Sequence, residues 1–205
     1  MYDGTCSISL LPYEYPKQLR EYGIQCKEFG PIVPILSTSQ NNRDHRKICV
    51  IDGKVAFTGG VNLADEYINR KMRFGHWKDT GVRIHGEAVF NFSMMFLEMW
   101  NAIKKSLPSD RSFEPYLTEY QYKSVQHGYV QPYADSPLDD DQVGEEVYIS
   151  MANKAEHYCW FITPYLIITD EMSHALSLAA KRGVDVRIIT PGIPDKKIGL
   201  QRYPL

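Results

Sequence analysis

The 205-residue chain has no excess of basic residues, no closely paired cysteines and no long apolar run. Its net charge of -2 and pI near 6.3 argue against a dedicated nucleic-acid-binding protein, which carries a basic excess. The four cysteines, at positions 6, 26, 49 and 159, form no CxxC pair. Neither a disulfide framework nor a zinc site is therefore predicted, and we expect reduced thiols, as in an intracellular protein.

No apolar run reaches the roughly 20 residues that a membrane-spanning helix needs. The most apolar segment, residues 88–100, is interrupted by Asn and Glu. Residues 1–9 have neither a basic region nor a long apolar stretch, so no signal peptide is predicted. We therefore expect any membrane contact of this chain to be peripheral. Apolar residues make up 43% of the chain, which is enough for an ordinary core.

Strand-like and helix-like segments alternate along the chain, which predicts an α/β fold. Helices are predicted at residues 13–22, 87–105 and 145–156, and from Thr169 or Asp170 to Gly183. Strands are predicted at residues 24–29, 47–51, 54–58, 80–84, 158–163 and 184–190. The Asp52-Gly53 pair between two of these strands predicts a tight hairpin turn. Residues 108–141 are rich in Pro, Ser, Asp and Tyr and are predicted to connect two lobes.

The stretch DHRKICVIDGKVAFTGGVNLADEY, residues 44–67, concentrates polar side chains around two predicted strands. Residues two apart in a strand share a face, so we expect His45 and Lys47 about 7 Å apart on one face and Arg46 on the other. An imidazole beside an ammonium group suits phosphoryl transfer, because His attacks phosphorus or moves a proton while Lys stabilises charge on the oxygens. Asn62 adds an amide donor, and Gly59–Gly60 allows close approach of the backbone.

Two carboxylates near this stretch have different predicted roles. Asp52 is five residues from Lys47, so in an unbroken strand it faces away from His45. We expect it to hold the hairpin or to pair with a base such as Arg46. A nucleophilic histidine needs a carboxylate to fix its tautomer. Asp79, within HWKDTGVRI, is the candidate for this partner.

The pattern HxK, four residues, Asp, six residues, Gly-Gly-x-Asn is far more specific than an isolated HxK pair. It occurs here as His45, Lys47, Asp52, Gly59, Gly60 and Asn62. The pattern resembles the HKD motif of the phospholipase D superfamily, and Gly instead of the common Ser at residue 60 resembles the cardiolipin synthases. The resemblance continues through GHWKDTGVRIHGEAVFNF, through Thr163–Tyr165 and through RGVDVRIITPGIPDKK, and so covers nearly the whole chain.

The resemblance implies a phospholipase D-like two-lobe α-β-α sandwich, with a mixed sheet flanked by helices. Residues 1–107 would form the first lobe with its HKD motif, residues 108–141 the connector, and residues 142–205 the start of the second lobe. The family has one motif in each lobe, but no histidine after residue 107 is followed two residues later by Lys. We therefore expect a chain that is truncated at both ends and carries only the first motif.

The resemblance also implies a reaction in which two phosphatidylglycerol molecules give cardiolipin and glycerol through a phosphohistidine. It assigns His45 as nucleophile, Lys47 and Asn62 as phosphate ligands and Asp52 to the motif, without a metal or other cofactor. A second histidine would protonate the leaving alcohol, so the chain alone is expected to be inactive or nearly so. A homodimer sharing two copies of His45 is an alternative, which an incomplete second lobe would obstruct.

Other functions stay open because the motif defines chemistry at phosphorus and not the acceptor. A phospholipase D-type hydrolase or a nuclease is one alternative, and a non-catalytic module that binds anionic lipid is another. The Gly-Gly variant and the near-neutral charge favour lipid over nucleic acid. The expected partners are phosphatidylglycerol and an anionic membrane surface on the cytoplasmic side, and no nucleic acid.

A cluster of basic residues follows the motif. Arg70, Lys71, Arg73 and Lys78 lie close together in the sequence, with Trp77 among them. A solvated basic face and a patch that attracts anionic headgroups fit these residues equally well. For Trp77 we expect packing rather than a place at an interface.

Overall fold

The structure is a computed structural model that describes residues 1–7, 10–30, 43–73, 75–103, 113–117, 122–123, 128–136 and 140–192. The chain divides into two compact units, Met1–Asp140 and Asp141–Leu205. The assignment of residues 1–107, 108–141 and 142–205 to two phospholipase D-like lobes and their connector stays a prediction.

The described residues of the first unit form two small sheets and several helices. Its elements are β1 (Tyr2–Asp3), α1 (Gly4–Ser7), α2 (Tyr15–Glu21), β2 (Glu28–Phe29), β3 (Ile48–Ile51), β4 (Val55–Gly59), β5 (Gly81–His85), α3 (Ala88–Ala102) and a 3₁₀ turn (Glu114–Tyr116). Strands β1 and β2 pair in parallel, with Tyr2 opposite Glu28. The predicted strand at residues 24–29 is thus shorter than expected, because β1 offers it only two residues to pair with.

Strands β3, β4 and β5 form an antiparallel sheet in which β4 is central. The turn between β3 and β4 has positive φ at both Asp52 (53°) and Gly53 (66°), as a type I′ turn requires. It is closed by a hydrogen bond of 2.9 Å from the Lys54 N–H to the Ile51 carbonyl oxygen. The hairpin predicted from the Asp-Gly pair is confirmed.

Helix α3 packs on one face of this sheet and forms the core of the first unit. Ala56, Val89 and Phe92 are buried there, and Ile48 and Val50 pack against them from β3. Alternate residues of β3 point to this core, as the period of a strand demands. These contacts anchor β3. They therefore also fix the start of the strand, to which the HxK pair is joined.

The carboxyl end of α3 is capped by a lysine from a distant part of the chain. Lys27 is 1% exposed, and its Nζ donates to the carbonyl oxygens of Trp100 (2.9 Å) and Ile103 (3.3 Å). The same ammonium lies 4.9 Å from the centroid of the Trp100 ring. A cation at this end suits the helix dipole. Lys104 and Lys105, which the sequence also places at this end of the predicted helix, lie outside the described residues.

The second unit has its own sheet and core. Its described elements are α4 (Val143–Lys154), β6 (Tyr158–Ile162), α5 (Asp170–Lys181) and β7 (Asp185–Ile189). Strands β6 and β7 pair in parallel, and α5 connects them. The Thr169 hydroxyl accepts a hydrogen bond of 3.2 Å from the Met172 N–H, so Thr169 is the N-cap of α5. Gly183 follows the helix with a φ of 92°.

The α/β class is confirmed. The described residues contain both parallel and antiparallel pairing, but in separate small sheets. None of the helices that the structure describes is both long enough and apolar enough to cross a membrane.

Candidate active site

His45 and Lys47 lie in a segment, residues 43–47, that leads into β3 without being part of the strand. Both residues line a cavity of about 470 Å³, which we call the His45 cavity. The residues that line it are Arg43, Asp44, His45, Arg46, Lys47, Ile48, Thr58, Gly59, Gly60, Phe92, Met95, Tyr133, Ala134 and Asp135. Of the seven predicted site residues, the structure thus brings His45, Lys47, Gly59 and Gly60 to one cavity.

The alternation of a strand does not describe this segment. Alternation predicts that Arg46 lies on the opposite face from His45, but Arg46 also lines the His45 cavity. The prediction was wrong because the strand begins only at Ile48. Arg46 instead pairs with Asp44, through Nε to Oδ1 at 2.8 Å and Nη2 to Oδ2 at 3.1 Å.

The electrostatic surroundings of His45 favour the neutral imidazole. Partial burial lowers the pKa of His45 below its usual 6.5, and the positive charge of Lys47 lowers it further. The carboxylates of Asp3 and Asp44 act in the opposite direction but do not outweigh these effects. One side of His45 stays accessible to solvent. At neutral pH the ring therefore has a free electron pair on one nitrogen, as a nucleophile requires.

Lys47 bends back toward the histidine. Its Nζ donates a hydrogen bond of 2.6 Å to the backbone carbonyl oxygen of His45. The ammonium therefore lies against the backbone of His45. This position explains why its charge acts on the pKa of the imidazole.

Asp79 lies against Gly60. A Cβ atom on Gly60 would come within 2.6 Å of Asp79 Oδ1 and 2.8 Å of Oδ2. The carboxylate is held there by the Thr80 N–H at 2.7 Å and the Trp77 Nε1–H at 3.3 Å. The carboxylates that raise the pKa of His45 are Asp3 and Asp44. The pairing of Asp79 with His45 stays a prediction.

Asp52 and Asn62 lie away from the His45 cavity in this structure. Asp52 is at the turn, at the opposite end of β3 from His45, in agreement with the first of its two predicted roles. The Asn62 side-chain amide donates a hydrogen bond of 2.6 Å to the Tyr67 hydroxyl oxygen. Asn62 is therefore engaged with Tyr67 and does not line the cavity.

Several residues of the site, Arg43 among them, were missed from the sequence. Asp3, at the end of β1, accepts a hydrogen bond of 3.3 Å from the Asp44 N–H, beside His45. Asp44 was overlooked although it is next to His45. Tyr133 and Asp135 come from the segment predicted as a connector, yet they line the cavity. No pattern in that segment distinguishes them from their neighbours.

Comparisons with known proteins point to cardiolipin synthases. A family model described as "Cardiolipin synthase, PLD-like domain" matches residues 148–203. A protein of Streptococcus mutans described as uncharacterized is 57% identical, over 97% of this chain and 42% of its own length. Cardiolipin synthases of Alkalihalophilus pseudofirmus and of a Geobacillus species are 37% and 38% identical, over 97% of this chain and 39% of theirs.

The matches to these synthases cover 97% of this chain and therefore extend over both units. The chain spans about two fifths of the length of the curated relatives it matches. These matches support a chain of the phospholipase D superfamily that corresponds to one part of a cardiolipin synthase.

Proposed function

We propose that this chain carries the nucleophilic half of an active site that transfers a phosphatidyl group from one phosphatidylglycerol to another, giving cardiolipin and glycerol. One observation carries the proposal: a histidine that is neutral at pH 7 and a lysine ammonium share one cavity with a Gly-Gly turn. The names of the similar synthases support the choice of reaction.

In the first step, the free nitrogen of His45 attacks phosphorus and forms a P–N bond, while the P–O bond to the glycerol headgroup breaks. The departing glycerol oxygen takes a proton from a general acid. In the second step, a hydroxyl of another phosphatidylglycerol attacks phosphorus, and the P–N bond breaks. That hydroxyl gives its proton to the same group, so protons and bonds balance over the cycle.

The basic residues of the cavity support the charged phosphate during both steps. Lys47 and Arg43 line the His45 cavity, so their charges can stabilise the oxygens of the five-coordinate phosphorus. Asn62 donates one of its two amide hydrogens to Tyr67 and lies outside the cavity lining, so it can bind the phosphate only if its side chain moves toward the cavity. Gly59 and Gly60 leave room for the lipid phosphate beside the backbone.

The general acid is expected from a second motif. Residues 108–205 contain no HxK pair, so we expect this chain alone to form the phosphohistidine slowly and to make little cardiolipin. A homodimer that joins two His45 cavities is an alternative source of the acid. Because the substrate is a membrane lipid, we propose that the protein works at an anionic membrane surface on the cytoplasmic side.

The test is to label the enzyme covalently. The purified chain is incubated with phosphatidylglycerol labelled at phosphorus and is then denatured. We expect phosphorus that is labile in acid and stable in alkali, on the peptide that contains His45. His45→Gln should abolish the label, and His157→Gln, which alters an exposed histidine of the second unit, should keep it. Label that persists in His45→Gln would refute the assignment.

The lipid products distinguish the remaining functions. Cardiolipin with released glycerol supports the transferase. Phosphatidic acid as the main product would show that water is the acceptor, as in a hydrolase. Binding of phosphatidylglycerol without label or product, unchanged in His45→Gln, would favour the non-catalytic lipid-binding module.

A further inference from the structure

The segment that follows the Gly-Gly turn carries several apolar side chains that point into solvent. We call residues 61–73 and 75–78 the docking loop. Within it, Leu63 is fully exposed, Met72 is 79% exposed and Ile68 is 56% exposed. Large aliphatic side chains exposed this close together in the sequence are unfavourable in water and form a candidate interaction site.

The docking loop is also basic. Arg70 and Lys71 lie between Ile68 and Met72 and are exposed. The loop contains four Lys or Arg residues and two acidic residues, so its net charge is positive although that of the chain is negative. Basic side chains beside aliphatic ones match a bilayer surface, which has anionic phosphates above hydrocarbon.

Internal hydrogen bonds and a ring contact brace part of the docking loop. Asn69 donates from Nδ2 to the Trp77 carbonyl oxygen at 2.9 Å and accepts at Oδ1 from the Trp77 N–H at 2.6 Å. The Tyr67 ring meets the Trp77 ring edge to face at 4.7 Å. These contacts join the two ends of residues 69–77 and brace the part of the loop that carries Met72.

The loop is continuous with the catalytic cavity. Gly59 and Gly60 line the His45 cavity, and the docking loop begins at the next residue. Asn62, a predicted phosphate ligand, belongs to the loop and is tied to it through Tyr67. A surface that fixes this loop therefore also fixes the approach of a lipid headgroup to His45.

We propose that the docking loop inserts Leu63, Ile68 and Met72 into the outer part of an anionic bilayer while Arg70 and Lys71 bind the headgroup phosphates. The inference rests on the proposed function in one respect, namely that the substrate is an anionic bilayer lipid. It goes further because it names the surface through which the chain meets the bilayer and connects that surface to the His45 cavity.

The pattern of side chains favours a bilayer over a protein partner. Protein interfaces have a contiguous apolar centre that is depleted in lysine, with charges at the rim. Here Arg70 and Lys71 stand between two of the apolar residues. Interspersed charges are unfavourable at the dry centre of a protein interface, but at a bilayer they reach the phosphates while the aliphatic side chains enter the hydrocarbon.

Binding to vesicles tests the proposal. The whole chain is sedimented with vesicles of equal parts phosphatidylglycerol and phosphatidylcholine, and with vesicles of phosphatidylcholine alone. We expect clear binding to the first and weak binding to the second, with binding that declines as salt is added. Leu63→Ser and Met72→Ser should each weaken binding about tenfold. Arg70→Gln and Lys71→Gln should each weaken it about fivefold at low salt.

Matched controls change residues of similar exposure elsewhere. Leu10 is 78% exposed and Lys181 is exposed on α5. Leu10→Ser and Lys181→Gln should bind like the unaltered chain. Docking-loop variants that bind as well as the controls would overturn the proposal. A second result would also overturn it: the chain does not bind the anionic vesicles, forms a dimer, and loses this dimer in Leu63→Ser. The loop would then bind a second copy of the chain.

The outcome is separable from that of the proposed function. Covalent labelling is measured with a short-chain phosphatidylglycerol that is monomeric in solution, so that no bilayer is required. Labelling of His45 without binding to vesicles would overturn the docking loop alone. Vesicle binding that depends on Leu63 and Met72, without any labelling, would support the docking loop and count against the phosphohistidine.

Discussion

The imidazole of His45 is subject to four influences of opposite sign. Burial and Lys47 lower its pKa, whereas Asp3 and Asp44 raise it, and the sum lies below 6.5. The neutral ring therefore predominates at pH 7, and the ring takes up its proton only as the pH falls below 6.5. Because protonation is less favourable in the folded chain than in the unfolded one, acid in this range also reduces stability.

Substitution of the charged neighbours should move this pKa in opposite directions. Lys47→Met removes a repelling charge and should raise the pKa of His45, whereas Asp3→Asn removes an attracting charge and should lower it. The Cε1–H signal of His45, assigned by its loss in His45→Gln, reports each titration by NMR. The rate of His45 labelling should fall with the same acid midpoint. A pKa above 6.5 in the unaltered chain would contradict this account.

Gly60 is required by its neighbour rather than by its own backbone angles. A methyl group there would overlap the Asp79 carboxylate, which the Thr80 N–H and the Trp77 indole hold in place. Gly60→Ala should therefore destabilise the chain by about 1–3 kcal/mol. Asp79→Ala removes the overlapping atoms, so the double variant should recover much of this loss, with a coupling of about 0.5–3 kcal/mol in denaturant unfolding.

Gly59 is the matched control for this pair. A Cβ atom on Gly59 would lie 2.7 Å from the backbone carbonyl oxygen of Thr80, which no side-chain substitution removes. Gly59→Ala should therefore destabilise the chain without any recovery in combination with Asp79→Ala. Equal recovery for both glycines would show that the contact with Asp79 is not the cause. The glycine that distinguishes this chain from the common serine of the superfamily thus has a local physical reason.

Among the elements, α3 depends on a residue far from it in the sequence. Lys27 is buried and supplies hydrogen-bond donors to two carbonyl oxygens at the end of the helix. Lys27→Met keeps much of the side-chain volume but leaves these oxygens without their donor. We expect a loss of about 1–3 kcal/mol in the free energy of unfolding. Lys17→Met, at an exposed position of α2, should change it by less than about 0.5 kcal/mol.

Local signals were enough to predict most of the elements. The Asp52-Gly53 turn, the N-cap at Thr169 and the end of α5 before Gly183 all follow from the residues at those positions, and the structure agrees with each. Lys27 could not be predicted as a cap of α3, because the contact joins residues 73 apart in sequence. Its burial depends on tertiary packing that no local pattern records.

At the scale of the whole molecule, the candidate site also combines residues that local sequence signals predict with residues that only tertiary packing brings together. The HxK pair and the Gly-Gly turn were predicted together because one hairpin brings them together. Asp3 and Asp135 come from opposite ends of the first unit, and only the folded chain brings them to His45. Alternation also failed for Arg46, since a pattern that assumes a strand cannot show where the strand begins.

The described core includes two clusters that share no residue, one in each unit. Phe92 belongs to the cluster under β3, and Leu176 belongs to the cluster of the second unit, and each is 7% exposed. Phe92→Ala should cost about 3–5 kcal/mol and Leu176→Ala about 2–5 kcal/mol, because each leaves a cavity in its own cluster.

Hydrogen exchange measured by mass spectrometry then tests whether each core serves its own unit. Phe92→Ala should speed exchange in β3 and β4, next to the His45 cavity, and should slow the covalent labelling of His45. Leu176→Ala should speed exchange in β6 and β7 and leave β3 and β4 protected, because its cluster consists of residues of the second unit. If either substitution speeds exchange equally in both units, the chain unfolds as one cooperative body, and the His45 cavity depends on the second core as much as on the first.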